Sequence, residues 1–137
     1  MQGWITGIIS QINDANLASA MGTALAVYLD RAPESATLPL VVAATKKSAV
    51  SHDLAMNQYI QAEAEIAVYA TQLSTAQAGA DMIVAALDGA NFAVQGATLL
   101  SNGIIESPVA TISLFNSAAE PVYKVAWRVG AILFVQK

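Results

Sequence analysis

The only histidine, His52, stands between Ser51 and Asp53, so nucleophile, base and carboxylate types are contiguous. A relay needs those groups to converge on one another from separate segments. Three neighbours in one loop cannot do so by spacing alone, and His52 reads as a solvated loop residue. Glu63 and Glu65 lie two apart, on one face of any strand that carries them. Paired-carboxylate hydrolysis requires two carboxyls across a cleft in different environments. Neighbours on one polar face more simply meet water or cations, and Lys124 and Arg128 are available as partners. Neither group has metal-ligand spacing, because a hard cation needs several converging oxygens.

Other chemistries fall away by inventory. The chain has no cysteine, which removes disulfides, thiolate metal sites and thiol nucleophiles together. Its glycines form neither a phosphate loop nor a dinucleotide fingerprint. Tyr59, Tyr69 and Trp127 could offer stacking surfaces, but no basic residues are interleaved with them. The net charge is −4, and Lys46-Lys47 is the only adjacent basic pair. Duplex binding rests on phosphate neutralisation, so sequence-specific nucleic-acid binding is not expected. No catalytic residue, metal ligand or cofactor site is expected either.

Composition points elsewhere. Only 12% of the residues are charged, against about 25% in an ordinary soluble domain. Apolar residues make up 55%, with 28 alanines among them. Alanine tolerates water, but Trp4, Ile104, Ile105, Leu114 and Phe115 add to the excess. Part of that surface is expected to be covered by copies of the chain or by another protein. The apolar stretch from Val125 to Val135 is interrupted by Arg128 and is too short to span a bilayer. The first residues lack a basic region of the signal-peptide kind. Assembly in the cytoplasm is therefore expected.

The elements that position these residues follow from periodicity. Trp4, Ile5, Ile8, Ile9 and Ile12 recur at helical spacing. A short helical piece over 15–21, ending at Gly22, is expected next, then a strand over 24–29 and an exposed loop over 30–37. A β run covers 38–45, and residues 46–57, without clear period, read as a long mobile loop. Residues 59–70 alternate strictly: Ile60, Ala62, Ala64, Ile66, Val68 and Ala70 against Tyr59, Gln61, Glu63, Glu65, Ala67 and Tyr69. That is an antiparallel strand with one covered face. Ser74-Thr75-Ala76-Gln77 fits a capping box, followed by a helix over about 75–88 that stops at Gly89. Strands over 92–100 and 104–114, parted by a turn at Ser101-Asn102-Gly103, and a loop over 115–121 follow. A last strand over 122–135 places Lys124 and Arg128 opposite Glu63 and Glu65 if it lies beside 59–70. With no repeat or linker, residues 1–137 read as one α+β domain. Its antiparallel sheet carries the main amphipathic helix, with the N-terminal helix packed on it.

Several short motifs then carry a family resemblance. The N-terminal helix leads to Leu25-Ala26-Val27-Tyr28, then to Ala32-Pro33-Glu34, and Ala36-Thr37-Leu38-Pro39 runs into Leu40-Val41-Val42. The central helix ends in Leu87-Asp88-Gly89, and the last strand reads Tyr123…Trp127-Arg128-Val129. In this order of elements the chain resembles the tail-completion or tail-terminator proteins of tailed bacteriophages. It departs from them at Leu40, where an aromatic residue is frequent, and at Leu25-Ala26, where a basic residue is frequent.

The resemblance implies a non-enzymatic virion protein of the tail or neck. Its subunits would form a closed ring, a hexamer, that caps the tail tube and docks to the head connector. Lys46, Lys47, His52, Glu63, Glu65, Lys124 and Arg128 are the candidate interface residues, with Lys46 and Lys47 assigned to axial contacts. Another phage neck or tail-tube protein, and a small module holding a hydrophobic ligand between helix and sheet, stand as alternatives.

Overall fold

The computed structural model describes residues 2–14, 26–32, 38–94, 96–113 and 122–136. The elements are α1 (Gln2–Asp14), β1 (Ala26–Leu29), β2 (Leu40–His52), β3 (Gln58–Ala70), α2 (Leu73–Leu87), β4 (Thr98–Ser113) and β5 (Val122–Val135). The strands form one sheet in the order β1-β2-β3-β5-β4. Every pairing is antiparallel except β1 with β2, which is parallel. This is the α+β arrangement expected from the sequence.

Both helices lie on one face. Trp4, Ile5, Ile8 and Ile12 of α1 and Ala76, Ala80, Ile83 and Leu87 of α2 join the inward side chains of the strands in one core. The inward set of β3 is the alternating one: Ala62, Ala64, Ile66, Val68 and Ala70 are buried. In β5, Val125, Trp127, Val129, Ala131 and Leu133 face the same way. Alanines and the buried Gly79 on α2 let the helix lie close to the alanines of β3, while Trp4 and Trp127 fill the wider parts of the layer. Burial of large apolar side chains such as Ile66 contributes roughly 1.5–3 kcal/mol each.

Several boundaries differ from expectation. The segment 46–57 is not a long loop: β2 continues to His52 and pairs with β3 residue by residue, with a bulge between Thr45 and Lys47. Only 53–57 turn. The bulge accounts for the lost period, because one extra residue switches the alternation to the other face. The strand expected over 92–100 begins only at Thr98, preceded by an isolated bridge between Val94 and Ala97. Ser101-Asn102-Gly103 does not turn but runs within β4, again beside a register shift.

Helix α2 begins at Leu73 with Gln72 as its N-cap, and no side chain caps it. Ser74 thus lies inside the first turn, where the expected capping box cannot form. The C-terminal end agrees: Gly89 has φ +71, the left-handed geometry that a side chain would resist. The expected helical piece over 15–21, Gly22 and most of the loops over 30–37 and 115–121 lie outside the described residues.

Candidate functional site

The face of the sheet away from the helices gathers most of the charged residues singled out in the sequence. Strand β5 lies against β3 with Glu65 opposite Arg128 and Glu63 opposite Gly130. Ion pairs run diagonally across that register. Lys124 approaches Glu65 at 3.5 Å and Lys46 reaches the other Glu65 oxygen at 3.9 Å. Arg128 lies 4.0 Å from Glu63 and 3.7 Å from Glu106 of β4. Lys124 also sits 5.7 Å from the centroid of the Tyr69 ring. Three cations and three carboxylates are therefore interleaved across four strands.

These side chains are about a quarter to two-thirds exposed, so each pair contributes at most about 1 kcal/mol. Their main effect is on register, since slipping β5 by one residue would turn Lys124 and Arg128 toward the core. A shallow depression opens beside the network, lined in part by Gln61, Glu63, Ile105 and Ile132 around Gly130. It exists because Gly130 has no side chain; a Cβ there would lie 3.2 Å from Ile105 Cδ1. The network is charge-neutral and self-paired.

His52 stands apart from this cluster, exposed at the end of β2 opposite Gln58. Lys47 has its backbone paired with Glu63, and its side chain lies outside the description. Neither lysine of the pair sits in a mobile loop. Among the described residues no three His, Cys, Asp or Glu side chains cluster as metal ligands. Between helices and sheet the space is filled by Trp4, Trp127, Ile66, Ile83 and Leu133, all nearly inaccessible.

Three features escaped the sequence reading. The first is Glu106, which joins the charge network from β4. The second is the turn of the β2–β3 hairpin. Asp53 Oδ1 accepts from the backbone N–H groups of Ala55 and Asn57 at 2.9 and 3.0 Å, and Asp53 Oδ2 accepts from Asn57 Nδ2 at 3.1 Å. The Asn57 side-chain bond, with these backbone donors, holds the Asp53 carboxyl below the usual carboxylate range. That clip presents Leu54 and Met56 to solvent, with Met56 at φ +66. An Asp-x-x-x-Asn spacing was the available signal. The third feature is the extent of apolar exposure along β4, where Leu100, Val109 and Ile112 join Ile105 in being at least half exposed.

An open sheet with helices on one face, a neutral polar network on the other and apolar borders defines a structural α+β subunit that meets other proteins. Residues 12–110 match the family described as tail completion protein gp17, and the chain belongs to that family. It is thus a structural protein of the bacteriophage virion, located in the tail. Its fold is similar to a chain in the virion of a native gene transfer agent (GTA) particle, with a TM-score of 0.69 at 19% identity. The match covers 95% of this chain and 93% of that one. No curated protein matches the sequence.

Proposed function

We propose that copies of this chain join head to tail in a closed ring, a hexamer, that terminates the tail tube and presents a docking surface to the head connector. One observation carries this reading. Among the described residues, the large apolar side chains that are at least half exposed fall on two separate borders of the molecule: Val50, Leu54 and Met56 on the β2–β3 hairpin, and Leu100, Ile105, Val109 and Ile112 on β4. A heterologous contact needs two different surfaces, and repeating it until the rotation closes makes a ring. Water exposure of so many large side chains is costly for a lone molecule. Family membership supports the placement at the tail.

Lys46, Lys47, His52 and the charged residues of β3 and β5 belong to the surfaces used. The test is native mass spectrometry with negative-stain microscopy on the purified chain and on tails carrying it. Rings on the tail end, and a mass that is a small multiple of one chain, are expected. A single copy per tail would overturn the proposal.

A further inference from the structure

We propose that the β2 border of one copy lies against the β4 border of the next, with Lys46 of one copy opposite Glu106 of its neighbour. The inference rests on the ring proposed above and specifies the contact that builds it.

The sheet offers two unpaired borders. Among the described residues, β1 pairs with β2 only from Leu40 to Ala43, so β2 has no outer neighbour from Ala44 to His52. At the other end of the sheet, again among the described residues, β4 pairs with β5 alone. Strand direction alternates from β2 through β3 and β5 to β4. A copy placed alongside, with strands kept parallel to the ring axis, therefore sets its β4 antiparallel to β2, with the helix-bearing faces continuous.

The two borders also change shape at the same level. Ala44 pairs with Glu65, Glu65 with Arg128, and Arg128 with Glu106, so these residues form one row across the sheet. Above that row β2 is uncovered; below it β1 projects by one strand width. Strand β4 breaks there as well, with register shifts on both sides of Glu106 and Pro108 within the second. The stretch from Ser101 to Ile104, between the shift at Leu99/Ser101 and this break, thus faces the uncovered part of β2. The kink at Pro108 passes the end of β1, below which Val109 to Ser113 pair regularly with β5. Bulges and Pro108 limit backbone pairing and leave much of the contact to side chains.

Those side chains are complementary. Lys46 and Glu106 project on the same open face at opposite borders, Glu106 in the common row and Lys46 two residues past Ala44 of that row, inside the Thr45/Lys47 bulge. Each is only loosely held within its own copy, at 3.9 Å from Glu65 and 3.7 Å from Arg128. Val50 on one border and Leu100 and Ile105 on the other supply exposed apolar area. Within one copy Lys46 and Glu106 are separated by the widths of β3 and β5, about 14 Å at ~4.8 Å per strand spacing. They cannot compensate for each other there.

The experiment uses that separation. Lys46→Glu and Glu106→Lys are made singly and together in the full chain, with circular dichroism to verify folding. Assembly is read by native mass in solution and by copies retained on purified tails. Each single variant is expected to lose at least tenfold in assembly, because position 46 then meets a like charge at position 106. Mixing the two singles should restore assembly, since an even-membered ring can alternate them. The double variant should restore it for any ring size. If the parent assembles and the singles match it, or if mixture and double variant stay apart, this contact is wrong while the ring stands. A parent that is monomeric in solution and single on tails removes both.

Discussion

The side-chain amide of Asn102 donates to the Leu87 carbonyl oxygen at 2.7 Å, tying the last turn of α2 to the edge strand β4. Two neighbours reinforce the tie. The Gly89 N–H donates to the Asn102 carbonyl at 2.9 Å, and the Ile104 N–H donates to Asp88 Oδ1 at 3.3 Å. The helix thus ends on a strand that follows it in sequence but lies at the far border of the sheet. Asn102 is also buried, so its loss strands an acceptor away from water. Replacing Asn102 with Leu should cost on the order of 1–3 kcal/mol. Urea unfolding should show a lower midpoint at unchanged slope; an unchanged midpoint would leave the tie without energetic meaning.

That contact also shows where sequence reading stops. Strand β3 and the inward stripes of α1 and α2 were legible because long-range packing and local period agree. Gly89 was legible because helices commonly end on a residue in the left-handed conformation, which glycine adopts without steric penalty. Asn102-Gly103 misled because Asn is a turn former only when its side chain serves its own backbone; here that side chain serves Leu87. Residues 46–52 misled because the Thr45/Lys47 bulge breaks alternation without breaking the strand. The opposition of Lys124 and Arg128 to Glu63 and Glu65 followed from charge and face. Glu106 did not, since its place depends on irregular β4 register.

The contact of Gly7 with Phe92 makes a sign-changing prediction. A Cβ at Gly7 would overlap the Phe92 ring, so the glycine exists to admit that ring against α1. Ala is ordinarily better than Gly within a helix by about 1 kcal/mol. Gly7→Ala should nevertheless destabilise the protein, by about 1–3 kcal/mol if the ring cannot swing clear. In a Phe92→Ala background the same change should become stabilising by about 1 kcal/mol. Equal effects in both backgrounds, measured by a double-mutant cycle, would show that the ring is not what excludes a side chain.

The Asp53 clip gives a pH dependence. Its carboxyl titrates below the ordinary value of 3.8 in the folded chain. A depressed folded value means that the unfolded state takes up the proton first, so the clip stabilises the folded turn above the ordinary carboxylate range. That contribution is lost as pH falls through the folded value. Amide signals of Ala55 and Asn57 should hold their positions down to about pH 4, given the unfolded aspartate value, and move together below it. Asp53→Ala should abolish the transition and broaden those signals at neutral pH, leaving Ile66 and Val68 of the core unmoved. A turn that keeps its signals in the variant would show that Asp53 does not hold it.

The hairpin tip tests docking separately from folding. Leu54 is fully exposed and Met56 more than half exposed, so neither contributes to the core, and their removal should change stability by less than about 0.5 kcal/mol. Met56 sits in the left-handed region, which asparagine adopts more readily than methionine. Leu54→Ser with Met56→Asn therefore removes the apolar tip while favouring the backbone that presents it. If the tip anchors the tail end to its neighbours, unfolding should be unaltered while the yield of joined particles falls severalfold. An apolar replacement such as Leu54→Met should preserve that yield, because methionine keeps the buried area with little change of volume. A polar tip that joins heads to tails as well as the parent would place the docking contacts elsewhere on the sheet.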